Sequence, residues 1–130
     1  MPAAGEVGTL SSTKELRTVL ATHGNDKFIA LVFGSNPCAA CTTIKAPFAA
    51  KAASCAEQGL FFVIQCEQKA SQPLCKACKV RVAPTGHIYV GGELVAAMPA
   101  GKSDWTAFAD MLDEVSSSSS TAHERSARAR

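Results

Sequence analysis

The sequence predicts an α/β sandwich: a mixed β-sheet of four to five strands flanked by helices, in the order βαβαβαββα. Three observations carry that prediction. Two continuous apolar runs, 28–33 and 60–64, have the length and composition of strands buried on both faces. Helix-favouring stretches precede and follow them, as crossover connections in a partly parallel sheet require. Near the C-terminus two strand-like runs flank Gly91-Gly92, and an amphipathic segment closes the pattern.

Each element has a local reason. Residues 7–10 form a short first strand. Residues 12–23 read as a helix, because Ser12 with Glu15 three positions later makes a capping box and Leu16, Val19 and Leu20 share one face. Gly24 stops it, Asn25-Asp26 turns the chain, and the run 27–33 follows as a central strand. Gly34-Ser35-Asn36-Pro37 is loop chemistry. The Ala-rich stretch 38–56 favours helix, with Pro47 as a kink inside it. After the strand 60–66, Ser71-Gln72-Pro73 opens a short helix with proline in its first turn, where the missing N–H costs nothing. The hairpin pairs 87–90 with 93–98. A last helix over 104–115 has Ser103 as its expected cap and Trp105, Phe108 and Leu112 on one face.

Length, composition and charge narrow the function classes. The chain has 130 residues, 47% apolar and 18% charged, which suits one domain with a real core. No apolar run approaches the roughly 18 residues of a membrane span. Residues 1–115 are expected to be that domain, and they balance their charges. The excess behind the net charge of +2 sits in 116–130, where Arg125, Arg128 and Arg130 outnumber Glu124. A neutral body with no basic face argues against nucleic acid as a partner. The segment 116–130, five serines followed by small and basic residues, is expected to be a disordered tail. The N-terminal residues show neither a basic-then-apolar signal pattern nor an Arg-rich amphipathic one, so the expected location is cytoplasmic.

Six cysteines are many for this length, and four of them form two C-x-x-C pairs. The first pair, Cys38 and Cys41, follows a buried strand and a short loop and opens a helix. Exposed backbone N–H groups and the positive end of the helix dipole stabilise a thiolate there. Cys38 is therefore expected to ionise more readily and to be the more exposed sulfur. Cys41, one turn further in, is placed to attack a mixed disulfide on Cys38. Pro37 keeps the helix from starting earlier.

At these residues the sequence resembles the thioredoxin family. The strand Phe28-Ile29-Ala30-Leu31-Val32-Phe33 leading to Cys38-Ala39-Ala40-Cys41 is one half of the likeness. Val82-Ala83-Pro84-Thr85, where the family has a cis-proline loop, is the other. The hairpin and final helix fit as well, so the resemblance spans roughly residues 7–115. It implies a thioredoxin fold, Cys38 as nucleophile, Cys41 as resolving thiol, and Pro84 as the cis-proline. Pro37, Ala83, Pro84 and Thr85 would meet the substrate, with Ala83 offering backbone hydrogen bonds to a bound peptide. The redox-active Cys38–Cys41 disulfide would serve without a further cofactor, and no metal is expected.

The departures bear on the chemistry. Pro37 stands where the family usually has Trp, and Ala39-Ala40 replaces Gly-Pro between the cysteines. Val32 occupies the position of a buried Asp that assists proton transfer from the resolving cysteine. Val63 occupies that of a Lys on the next strand, and Pro47 falls one residue late. Without that carboxylate, slower turnover is expected.

The remaining candidates admit blander readings. Cys75 and Cys78, the second C-x-x-C, are either a redox couple or regulatory switch, or two thiols on a short helix. A zinc site drawn from both pairs would need a spacer about twice the usual span. Cys55 and Cys66 read as small buried hydrophobes. His87 reads as a surface residue, and Trp105 as packing of the last helix. Two functions stay open. One is a protein-disulfide reductase acting on disulfide-containing proteins and recharged by an upstream dithiol reductase, within cell redox homeostasis and electron transport. The other is a weakly active or non-catalytic binding subunit of a larger assembly, such as a ciliary or axonemal one.

Overall fold

The computed structural model describes the backbone of residues 2–129 and the side chains of residues 2–117. Strands β1 (Val7–Thr9), β2 (Phe28–Gly34), β3 (Gly59–Gln65), β4 (Thr85–Val90) and β5 (Glu93–Pro99) form one sheet in the order β1-β3-β2-β4-β5. The strands β1, β3 and β2 run parallel, β4 is antiparallel to β2, and β5 is antiparallel to β4. Helices α1 (Thr13–His23), α2 (Ala39–Ser54), α3 (Gln72–Ala77) and α4 (Trp105–Ala129) complete the expected βαβαβαββα order. The expected end of the last helix is residue 115, whereas the backbone of α4 continues to Ala129; from residue 118 on, the side chains of the expected tail, 116–130, lie outside those described.

The all-apolar run of β2 is explained by its central place, since every one of its residues is buried. Alternate side chains serve opposite layers. Phe28, Ala30 and Val32 join Ile44 and Phe48 of α2 and Phe108 and Leu112 of α4. Ile29, Leu31 and Phe33 join Leu16 and Val19 of α1 and Leu74 of α3. Each large side chain buried this way contributes about 1.5–3 kcal/mol. Trp105 packs edge-on against Phe48 and Phe108, with ring centroids 6.4 and 5.8 Å away.

Local chemistry sets the ends of the elements. Ser12 caps α1 by accepting the Glu15 N–H at 3.1 Å. The Glu15 carboxylate reaches back to Ser11, accepting its N–H at 2.9 Å and its hydroxyl at 2.8 Å. These bonds hold the carboxyl below its usual range. Gly91 and Gly92 both take positive φ, +62° and +82°, which the two-residue hairpin turn demands.

Three expectations need correcting. β4 begins at Thr85, two residues before the expected start. His87 is buried at 4% exposure instead of lying on the surface, because β4 sits between β2 and β5. Ser103 does not cap the last helix: a 3₁₀ turn over Lys102–Asp104 leads directly into α4 at Trp105.

Candidate active site

The end of β2 and the start of α2 build the site. After Gly34 the chain passes through exposed Asn36 and Pro37, joined by a cis peptide bond, and Cys38 becomes the N-cap of α2. Cys38 and Cys41 form a disulfide, with Cα atoms 5.3 Å apart. The Cys41 N–H donates to Cys38 Sγ at 3.1 Å. One of the free amides at the helix start is thus aimed at the sulfur that the sequence marks as nucleophile, an arrangement that favours negative charge there. Both cysteines are half-buried, so neither stands out as the more exposed residue.

The loop before β4 forms the facing wall. The Ala83–Pro84 peptide is cis, and the Ala83 carbonyl oxygen lies 3.8 Å from Cys38 Sγ. Ala83 is exposed, and its neighbour Val82 is 55% exposed, an apolar side chain left uncovered on the same loop. Thr85 is buried, and its hydroxyl donates to the Val82 carbonyl, so it braces the loop from within. The structure therefore brings Cys38, Cys41, Ala83 and Pro84 together and leaves Pro37 on the exposed approach.

Gly101 belongs to this wall and is absent from the sequence reading. A Cβ on it would sit 2.9 Å from Pro84 Cδ and 3.1 Å from Ala40 Cβ, so only glycine lets the proline loop and the nucleophile helix close together. The Ala100 N–H donates to the Pro84 carbonyl at 3.0 Å and fixes that approach. The sequence signal was a glycine just ahead of the last helix, which has a plainer explanation as a helix boundary.

Behind the disulfide lies a cavity of about 680 Å³, lined by Val32, Val63, Gly34, Gln65 and Cys41, with Lys45 and Glu67 supplying charge. Val32 and Val63 are direct partners across β2 and β3. The positions where the resemblance places an acid and a base thus form an apolar pair. Gly34 and Gln65 are partners two residues on. A Cβ at Gly34 would lie 3.6 Å from Cys41 Sγ and 3.9 Å from Gln65 Oε1. Gln65 Oε1 is buried and has no hydrogen-bond partner.

The second C-x-x-C does not close on itself. Cys75 is bonded to Cys66, which joins α3 to the chain just beyond β3. Cys66 is therefore not a plain buried hydrophobe, and a redox couple of Cys75 with Cys78 is not what this structure contains. The two motifs supply sulfurs to separate disulfides, Cys38–Cys41 and Cys66–Cys75. Cys78 stays free and half-buried. Burial pushes its thiol up, partly opposed by a hydrogen bond with Tyr89. Tyr89 is itself pushed up to about 12, first by burial and then by Cys78. Cys55 is free and buried, as expected of a small apolar residue.

His87 lies against Phe33, ring centroids 4.8 Å apart, and its Nδ1 has no partner. Burial holds the imidazole below its ordinary range.

No protein-family model matches the sequence, and neither does any curated protein sequence. Solved structures do match. Thioredoxin f from spinach chloroplast (short form) is 20% identical with a TM-score of 0.75, covering 88% of this chain and 98% of that one. A chain of the complex between ferredoxin:thioredoxin reductase and thioredoxin f2 is 19% identical with a TM-score of 0.73, covering 87% and 99%. Thioredoxin from Trypanosoma brucei brucei is 17% identical with a TM-score of 0.72, covering 86% and 92%. At these identities the likeness establishes architecture: this chain has the thioredoxin fold. Among the described residues no helix is long and apolar enough to cross a membrane.

Proposed function

We propose that this chain is a thiol–disulfide oxidoreductase that reduces protein disulfides with the Cys38/Cys41 dithiol. The observation that carries the reading is the bonded pair at the start of α2, with the Cys41 N–H on Cys38 Sγ and the Ala83–Pro84 loop opposite. In the reduced protein the Cys38 thiolate attacks one sulfur of a substrate disulfide. A mixed disulfide forms on Cys38, and the other substrate sulfur leaves as a thiolate. Cys41, deprotonated to solvent, then attacks Cys38 Sγ. The Cys38–Cys41 bond forms and the second substrate thiolate is released, so the substrate gains the two electrons that the protein loses.

Exposed Val82 and the Ala83 backbone offer an apolar and hydrogen-bonding edge to an extended segment around the target disulfide, with Pro37 on its approach. Pro84 and Thr85 hold that edge in place. The oxidised protein is recharged by an upstream dithiol reductase, the kind of partner present in one of the similar structures, a complex of thioredoxin f2 with ferredoxin:thioredoxin reductase. The reading places this cycle in the cytoplasm, where a dithiol is kept reduced.

The apolar Val32/Val63 pair favours a second reading, a binding subunit in which the redox step is vestigial. Two variants separate the readings. Under oxidoreductase chemistry Cys38→Ser abolishes reduction of a protein disulfide, and Cys41→Ser accumulates a covalent mixed disulfide with its substrate. If Cys41→Ser binds its partners as wild type does and traps none of them covalently, the enzyme reading fails.

A further inference from the structure

We propose that the Gln65 carboxamide is a positioning residue for Cys41, holding the resolving thiol and then its thiolate during attack on the mixed disulfide; the assignment rests on the oxidoreductase reading above. Four observations lead to it. Gln65 Oε1 is buried without a partner, and orphaned buried acceptors are uncommon because each forgoes a hydrogen bond. The Cβ site of Gly34 lies within van der Waals reach of both Cys41 Sγ and Gln65 Oε1, and glycine leaves that space free. Cys41 and Gln65 line the same cavity. The other side chains of β2 and β3 on this cavity, Val32 and Val63, offer neither donor nor acceptor.

The structure holds the oxidised state, in which Cys41 has no proton to give. The unpaired acceptor is what that state leaves behind. In the reduced protein the Cys41 S–H donates to Gln65 Oε1. When the proton passes to bulk water through the cavity, rotation of the amide presents its NH₂ to the thiolate. The thiolate then forms the Cys38–Cys41 bond, and the departing substrate thiolate takes a proton from solvent. Gln65 takes up no proton. It steers the thiol and stabilises its anion, and the neutral S–H···O bond alone, about 0.5–1.5 kcal/mol, corresponds to a rate effect of roughly 2- to 12-fold.

The test uses dithiobis(nitrobenzoate) in a Cys78→Ala background, which removes the half-buried free thiol. Attack by Cys38 releases the first nitrothiophenolate, and resolution by Cys41 releases the second. Gln65→Met keeps the length of the side chain without its polar end. It is expected to leave the first release unchanged and slow the second about fivefold. Gln65→Glu places a titratable acceptor there. It is expected to restore the second release and to give it a new pH dependence, against the charges of Lys45 and Glu67 that also line the cavity. Circular dichroism confirms that each variant is folded, and Gln65→Leu serves if Gln65→Met is not. If wild type releases both equivalents and the apolar variants resolve at its rate, the Gln65 assignment is overturned alone. If wild type never releases the second equivalent, the dithiol reading falls and takes this proposal with it.

Discussion

Replacing Cys66 and Cys75 together by alanine opens the disulfide between the end of β3 and α3. The two cysteines are 9 residues apart in sequence. Closing a loop of that size removes about 8.7 cal/mol/K of entropy from the unfolded chain, or about 2.6 kcal/mol at 25 °C. Cys75 is 7% exposed, so losing its sulfur adds a smaller packing loss of the same sign. Against a typical total stability of about 5–15 kcal/mol this is a large fraction, and for a domain of this size it corresponds to a melting point lower by roughly 10 °C. Thermal melts under non-reducing conditions, comparing wild type, the double variant and Cys78→Ala, measure it. Only the double variant is expected to shift. A shift below about 2 °C in the double variant would refute the reasoning. So would peptide mapping that finds Cys75 joined to Cys78.

Two further outcomes follow from the packing. His87 is held neutral by burial, so the unfolded chain binds its proton near the ordinary value of 6.5 while the folded protein resists it. Its contribution to stability is complete above 6.5 and falls as pH drops towards the lower folded value. His87→Leu should flatten that part of a melting-point-against-pH curve, and an unchanged slope counts against the account. Gly101→Val pushes a side chain onto Pro84 and Ala40 and should slow reduction of insulin disulfides about tenfold while circular dichroism stays native, since it parts the proline loop from the cysteine helix. Wild-type turnover in that variant would show that the close approach is dispensable.

Much of this protein is written locally. The strand run at 27–33, the capping box at Ser12 and Glu15, the Gly91-Gly92 turn and the placement of Cys38 at a helix start each depend on residues within a few positions of one another. The sequence therefore determines the element order and the placement of the first cysteine pair at a helix start by itself. Spatial neighbours distant in the chain decided the rest. C-x-x-C spacing suggests that Cys75 pairs with Cys78, but Cys75 faces inward beside the end of β3, and the sulfur that meets it is Cys66. His87, at the start of an expected strand, reads as a surface residue, and it is buried because the sheet puts β4 between two other strands. Gly101 and Gln65 carry no local signal of a site. Gly101 meets Ala40 and Pro84 only because the start of the last helix closes on the proline loop, and Gln65 joins the cavity wall with Cys41 because β3 lies beside β2 in a register that sets it opposite Gly34. Periodicity and capping are short-range and legible in one dimension, whereas disulfide choice, burial within the sheet and the far walls of the site depend on distances that only the packed sheet fixes.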